Sequence, residues 1–176
     1  MTKEKWKQIE GYEYEVSDYG RIKSFDRISW RGHKIKGQII LPNINKNGYY
    51  NIRLNKNGVQ RTFMLARLVA GAFINNPYNY NIVDHKDRNP ANNNVKNLRW
   101  CDSSMNNINS SKRITKTSSI YKGVSFSKAN RKWASRIAKN KIDIHIGYFN
   151  SEVLAAKAYN KKAKELFGRF ALLNKL

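Results

Sequence analysis

A hairpin closed by Asn-Gly constrains the fold more than any other local feature of this chain. Tyr49-Tyr50-Asn51-Ile52-Arg53-Leu54 alternates in polarity, Asn55-Lys56-Asn57-Gly58 follows, and Val59-Gln60-Arg61-Thr62-Phe63-Met64 alternates again. Asn and Gly both tolerate positive φ, so the pair favours a tight turn and commits the two flanking runs to antiparallel pairing. Upstream, Trp6, Ile9, Tyr12, Tyr14, Val16, Ile22 and Phe25 are scattered among polar residues without helical periodicity. Gly11, Gly20, Gly32 and Gly37 punctuate them. Residues 1–60 therefore read as short strands and turns, a β-rich N-terminal segment.

The pattern then changes. Leu65, Leu68, Val69, Ala72 and Phe73 recur at three- and four-residue spacing, which predicts a short helix over 65–73, and Pro77 prevents its continuation. Ile82-Val83 and Leu98-Arg99-Trp100-Cys101 suit two strands, separated by an Asn- and Pro-rich loop at 87–94. Asp102-Ser103-Ser104 offers N-cap candidates for a short helix through Met105 and Ile108. Residues 110–119 are polar and basic and read as a linker. Beyond it lie three strand-like runs, 121–127, 132–138 and 142–148. Ser151 then precedes an amphipathic helix to about Phe167, with Gly168 suited to its C-terminal cap. Three strands and one helix over 120–176 predict a small α+β unit, one sheet face covered by the helix and the other left for solvent or a partner.

Charge narrows the function. Thirty-four Lys and Arg against 12 Asp and Glu give a formal net charge of +22 over 176 residues. An excess this large calls for a polyanion, nucleic acid first. At 40% hydrophobic and 12% aromatic residues, the chain holds too much core material for a disordered basic tail. A single Cys excludes an internal disulfide framework and a Cys-based zinc site. Neither a signal-peptide apolar region nor a membrane-length apolar run is present, so an intracellular protein without a membrane partner is expected.

Chemistry concentrates at Val83-Asp84-His85-Lys86-Asp87. Carboxylate and Asn oxygens suit a hard divalent cation, and a neutral imidazole beside them can take a proton from water. Together they suit metal-assisted phosphodiester hydrolysis. Composition alone favours a surface turn here. His33 reads as a solvated loop residue, and Trp100, Trp133 and Cys101 as core.

Longer motifs change that balance. Val83-Asp84-His85-Lys86-Asp87-Arg88-Asn89-Pro90-Ala91-Asn92-Asn93, then Asn97-Leu98-Arg99-Trp100, then Asn106, resembles the His-Asn-His (HNH) nuclease motif. The likeness is to the phage and intron-encoded homing endonucleases, in which Asn replaces the last His. It implies a ββα-metal catalytic unit over 61–109, with Asp84 and Asn106 as metal ligands and His85 as general base. Asn97 would hold the loop that orients His85, and Asn107 and Asn109 stand as alternatives for the ligand register. Mg²⁺ is the expected metal and Mn²⁺ its substitute, with no zinc. Trp6 to Tyr12 and Tyr14 to Ser24 resemble the N-terminal motif that accompanies these nucleases. Phe63 to Ala70 resembles their pre-catalytic helix, with Ala66 where that family usually has His.

Residues 120–174 resemble the plant APETALA/ethylene-response DNA-binding domain through Tyr121-Lys122-Gly123-Val124, Lys132-Trp133-Ala134, Ile146-Gly147-Tyr148-Phe149, Ala155 to Asn160 and Leu172-Leu173-Asn174. The resemblance implies a DNA-docking sheet face. Lys122, Arg131, Lys132, Arg136 and His145, with Arg53 and Arg61 of the hairpin, are the expected DNA contacts. The whole implies a monomeric, site-directed endonuclease acting on double-stranded DNA, probing the duplex from both flanks and nicking one strand. Its compartment would be the cytoplasm of a bacterial host if a phage encodes it. A DNA-binding regulator with an inactive nuclease site is the alternative. An RNA-binding protein of ribosomal type is permitted by charge alone, without a stacking motif to support it.

Overall fold

The structure is a computed structural model, and it describes residues 3–29, 31–110 and 118–176. The chain forms two compact units, Met1–Cys101 and Asp102–Leu176. The division falls between Cys101 and Asp102, whereas the sequence points to 110–119; most of that stretch lies outside the described residues.

The first unit is mostly short strands. β1 (Trp6–Gln8), β2 (Tyr14–Ser17) and β3 (Ile22–Ser24) are followed by β4 (Arg27–Ile28), β5 (Lys34–Ile35), β6 (Ile39–Ile40) and β7 (Asn43–Ile44). β8 (Tyr50–Lys56) and β9 (Val59–Met64) form the hairpin, and Asn57 and Gly58 take φ of 52° and 83° at its turn. β1, β2, β3 and β6 make one antiparallel sheet, and β7, β8 and β9 a second.

α1 (Leu65–Phe73) buries Leu65, Ala66, Val69 and Ala70, and its last turn closes with Ile74 N–H on the Ala70 carbonyl. Leu65, Ala66 and Val69 join Ile9, Tyr14, Val16, Ile22, Ile52, Leu54 and Leu98 in one core. Ala66 thus stands as core packing. β10 (Ile82–His85) and β11 (Leu98–Cys101) pair antiparallel, with Asp84 opposite Arg99 and His85 opposite Leu98. The loop between them ends in a 3₁₀ turn at Val95–Asn97, where Lys96 N–H meets the Asn94 side chain at 2.9 Å.

The second unit opens with α2 (Ser103–Asn109), capped by Asp102, whose Oδ1 accepts the Met105 N–H at 2.8 Å. β12 (Val124–Ser127), β13 (Lys132–Lys139) and β14 (Ile142–Phe149) form an antiparallel meander. α3 (Glu152–Phe167) covers one face, burying Ala155, Ala156, Tyr159, Ala163 and Phe167. Its ends follow the predicted caps: Ser151 Oγ accepts the Leu154 N–H at 3.3 Å, and Gly168 takes φ of 49°. Fold class is therefore α+β in both units. No helix among the described residues is long and apolar enough to cross a membrane.

Candidate functional site

The hairpin of β10 and β11 buries two adjacent polar side chains. Asp84 and His85 are 6% and 5% exposed. His85 Nε2 lies 3.2 Å from Asn93 Oδ1. An amide oxygen only accepts, so this contact puts the ring proton on Nε2 and makes Nδ1 the basic nitrogen of the neutral tautomer. The Tyr49 ring lies 5.9 Å from the imidazole, centroid to centroid.

The loop that presents Asn93 is tied together by Asn97. Its amide Nδ2 donates to Asp87 Oδ1 at 2.9 Å and to the Asn92 carbonyl at 2.8 Å, while its Oδ1 accepts the Asp87 N–H at 3.1 Å. Asn97 therefore holds the loop, and Asn93 touches the imidazole. Desolvation pulls the Asp87 carboxyl upward, but hydrogen bonds from Asn89, Asn92 and Asn97 and the nearby His85 charge outweigh it and hold it below its ordinary value.

The N-terminal segment supports the same loop. Val95 N–H donates to the Asp18 carbonyl at 2.8 Å. Gly20, at φ of +81°, sits so close that a Cβ there would lie 2.8 Å from the Asn93 Cβ.

Asp84 is paired across the hairpin. Arg99 Nε donates to its Oδ2 at 2.8 Å, and Arg99 Nη2 lies 2.7 Å from the same oxygen. Both side chains are more than nine-tenths buried. The chain's carboxylate and Asn oxygens are donors that a hard divalent cation accepts. Among the described residues no group of three or more His, Cys, Asp and Glu is arranged to hold a metal.

Asn106 lies on α2 in the second unit, half-buried, between Asn107, which is exposed, and the preceding turn. Asn109 is buried.

The residues expected to contact DNA fall in both units. Arg131, Lys132, Arg136 and His145 are exposed. Arg136 and His145 are cross-strand partners on β13 and β14, and the His145 and Tyr148 rings lie 4.6 Å apart between centroids, tilted by 54°. Arg136 pairs loosely with Asp143 at 3.4 Å, both more than half exposed, an ion pair worth about 0–1 kcal/mol. On the hairpin of the first unit, Arg53 faces Thr62 and Arg61 faces Leu54. Directly paired residues share a face and successive ones alternate, so Arg53 and Arg61 point to opposite faces. Arg53 lines a groove of about 520 Å³ with Arg27 and Lys56, and Arg61 does not. Lys122 departs furthest from expectation: its ammonium is turned onto α2, donating to the carbonyls of Asn107, Ile108 and Ser110.

Asn93, Arg99, Tyr49 and Gly20 complete this geometry beyond the residues singled out in the sequence. Asn93 and Arg99 stand within the quoted motif, so their presence was legible. Their contacts depend on strand register and loop closure, which residue types alone do not fix.

Comparison with known proteins gives consistent results. Residues 4–55 match the NUMOD4 motif family. The chain is 42% identical over 97 residues to an uncharacterized HNH endonuclease of Acanthamoeba polyphaga mimivirus, covering 54% of this chain and 26% of that protein. It is 38% identical over 112 residues to the DNA endonuclease I-HmuI of Bacillus phage SP01, covering 62% and 59%. A second mimivirus HNH endonuclease is 37% identical over 134 residues, covering 76% and 66%. The chain thus spans less than two thirds of the length of each of these relatives. The solved structure describing DNA binding and cleavage by the HNH homing endonuclease I-HmuI aligns with a TM-score of 0.46 at 38% identity, over 58% of this chain and 55% of that one. In sequence, the chain is similar to HNH endonucleases and to the DNA endonuclease I-HmuI over more than half its length.

Proposed function

We propose that this chain is a metal-dependent, site-directed DNA endonuclease of the HNH homing type, hydrolysing one phosphodiester of duplex DNA per encounter. The observation that carries the reading is the buried Asp84-His85 pair, whose imidazole is held by Asn93 in one tautomer. A positioned base with a fixed tautomer is what proton abstraction from water requires.

In this reading His85 takes the proton of the attacking water at Nδ1, and Asn93 keeps the ring in place. Asn97 keeps the loop closed around Asn93. Asp84 and Asn106 would hold Mg²⁺, or Mn²⁺ in its place, and the ion would neutralise charge at the scissile phosphate and the leaving 3′ oxygen. The product carries a 5′-phosphate. Metal-centred ββα architecture over 61–109, flanked by a β-rich N-terminal segment, belongs to the same proposal.

Duplex DNA fits the net charge of +22. Arg131, Lys132, Arg136 and His145 present cationic and aromatic groups on or beside the C-terminal sheet, in keeping with the resemblance of 120–174 to the plant DNA-binding domain. Arg53 offers a contact from the N-terminal groove, and Arg61 one from the opposite face of its hairpin. A monomer acting inside the cell suffices for nicking.

The test is supercoiled plasmid incubated with purified protein in Mg²⁺ and in EDTA. Metal-dependent nicked circles support the endonuclease. Binding without nicking in Mg²⁺ and in Mn²⁺ supports the second reading, a DNA-binding regulator. That reading is favoured by one observation, the Arg99 guanidinium already engaged on Asp84 Oδ2. Asn106→Ala, Asn107→Ala and Asn109→Ala, compared for the Mg²⁺ concentration each needs, decide the ligand register.

A further inference from the structure

We propose that Lys122 is a positioning residue for Asn106, and that the C-terminal sheet unit is the mount of the helix that carries this ligand. The proposal rests on the endonuclease reading for its consequence and on the second unit's own contacts for its geometry.

α2 is short. Its seven residues form fewer than two full turns, too few to persist by backbone hydrogen bonding alone. No basic residue occupies its last turn, so the negative end of its dipole is not met from within the helix. Lys122 meets it from outside. Its Nζ lies 3.0 Å from the Asn107 carbonyl oxygen, 2.8 Å from that of Ile108 and 2.6 Å from that of Ser110. An ammonium has three N–H donors, and the last carbonyls of a helix lack i+4 amide partners, although that of Asn107 also accepts the Ser110 N–H at 3.2 Å and the Ser110 Oγ–H at 2.6 Å. Donors and acceptors match in number.

Lys122 is itself pinned. Its backbone N–H donates to Asn174 Oδ1 at 2.7 Å, and Asn174 Nδ2 donates to the Lys122 carbonyl at 3.1 Å. Asn174 is in turn locked to α3, its N–H on Asn160 Oδ1 at 2.7 Å and its carbonyl accepting from Asn160 Nδ2 at 2.9 Å. The other end of α2 is held by the β13–β14 turn, where Ser104 Oγ accepts the Asn140 N–H at 2.9 Å and donates to Asn140 Oδ1 at 3.1 Å. A polar chain therefore runs from α3 through Asn160, Asn174 and Lys122 to α2. Asn106 stands one residue before the first carbonyl that Lys122 holds. A basic residue presented by a DNA-docking sheet would keep its ammonium for phosphate; this one spends its donors within the protein.

The experiment uses the full chain and Lys122→Met, which keeps the aliphatic stem and deletes the donors, with Lys122→Arg as the conservative variant. Three quantities are read: amide hydrogen exchange over 103–110, duplex affinity in EDTA, and the Mg²⁺ concentration for half-maximal nicking. The expected result for Lys122→Met is about 10-fold faster exchange in α2, duplex affinity within about twofold of wild type and a Mg²⁺ midpoint raised about 5- to 10-fold, with Lys122→Arg between the two. Unchanged α2 exchange with weaker duplex binding and a salt slope smaller by about one would make Lys122 a phosphate contact and overturn the proposal. Should Lys122→Met fail to fold, Lys122→Gln is read on the same three measures. Wild-type protein that never nicks would sink the endonuclease reading alone, since the exchange and affinity arms still decide what Lys122 holds.

Discussion

Arg99 and Asp84 face each other across the β10–β11 hairpin, and the guanidinium meets one carboxylate oxygen through both Nε, at 2.8 Å, and Nη2, at 2.7 Å. Both are buried, so each charge relies on the other. Removing one partner of such a pair is costly because the survivor stays desolvated. Arg99→Met should therefore destabilise the protein by about 3–5 kcal/mol in EDTA. Mg²⁺ should return part of that loss if Asp84 binds the ion, because a ligand specific to the folded state stabilises it. Urea unfolding with and without Mg²⁺ checks both, and a loss indifferent to Mg²⁺ would count against Asp84 as a ligand.

His85→Ala should lower the nicking rate by about 10²–10⁴-fold and leave duplex affinity nearly unchanged, since the imidazole acts on water. Asn93→Ala should give a smaller rate loss together with a changed pH–rate profile, because it frees the tautomer that Asn93 Oδ1 now selects. Single-turnover nicking across pH, alongside binding in EDTA, separates the two roles. Equal losses of binding and cleavage in His85→Ala would remove it as the general base.

Gly20→Ala tests the support of the loop from the N-terminal segment. A Cβ there would meet the Asn93 Cβ at 2.8 Å and the Asn93 carbonyl oxygen at 3.1 Å, at a φ that an L-residue rarely adopts. The loop must shift, so nicking should fall by about 10-fold or more while duplex binding holds. Cleavage equal to wild type in a folded Gly20→Ala protein would show that Asn93 is not held from this side.

Asp87 gives the loop a pH dependence. Its carboxyl lies below its ordinary value of 3.8, so it contributes to the closed loop fully above that pH, and the contribution is lost as pH falls through the depressed value. Exchange of the Asn92 and Asn97 side-chain amides should therefore stay slow at neutral pH and quicken well below 3.8. Asp87→Asn should lose that dependence. NMR of the side-chain amides along an acid titration is the measurement.

Gly123 and Tyr159 make a further prediction for the second unit. A Cβ on Gly123 would lie 2.2 Å from the Tyr159 ring and 2.5 Å from the Arg136 carbonyl oxygen, and its φ is +73°. Gly123→Ala should destabilise this unit by about 2–5 kcal/mol, from overpacking and backbone strain together. Burial raises the Tyr159 hydroxyl's pKa, and no described residue hydrogen-bonds to it. Tyr159→Phe should therefore be neutral or stabilising by about 1 kcal/mol, read from thermal unfolding.

Much of the molecule was legible in its residues, where the determinants are local. Asn57-Gly58 fixed the hairpin because only residues tolerant of positive φ close so tight a turn. Asp102 and Ser151 marked helix starts because a short side-chain oxygen satisfies a first-turn N–H wherever it stands. The spacing of Leu65, Val69 and their neighbours set α1 because a helix brings such positions onto one face. Asp84 and His85 are likewise adjacent in sequence, and the strand that carries them buries both. Tertiary structure decided which groups those side chains meet. Arg99 reaches Asp84 only through the pairing register of two strands, Asn93 reaches His85 only once the loop has closed, and Gly20 approaches Asn93 from more than 70 residues away. The same holds for Lys122, a basic residue whose ammonium the fold turns onto the carbonyls of α2. Residue type states what a side chain can bond to; the long-range closure of the chain selects the partner.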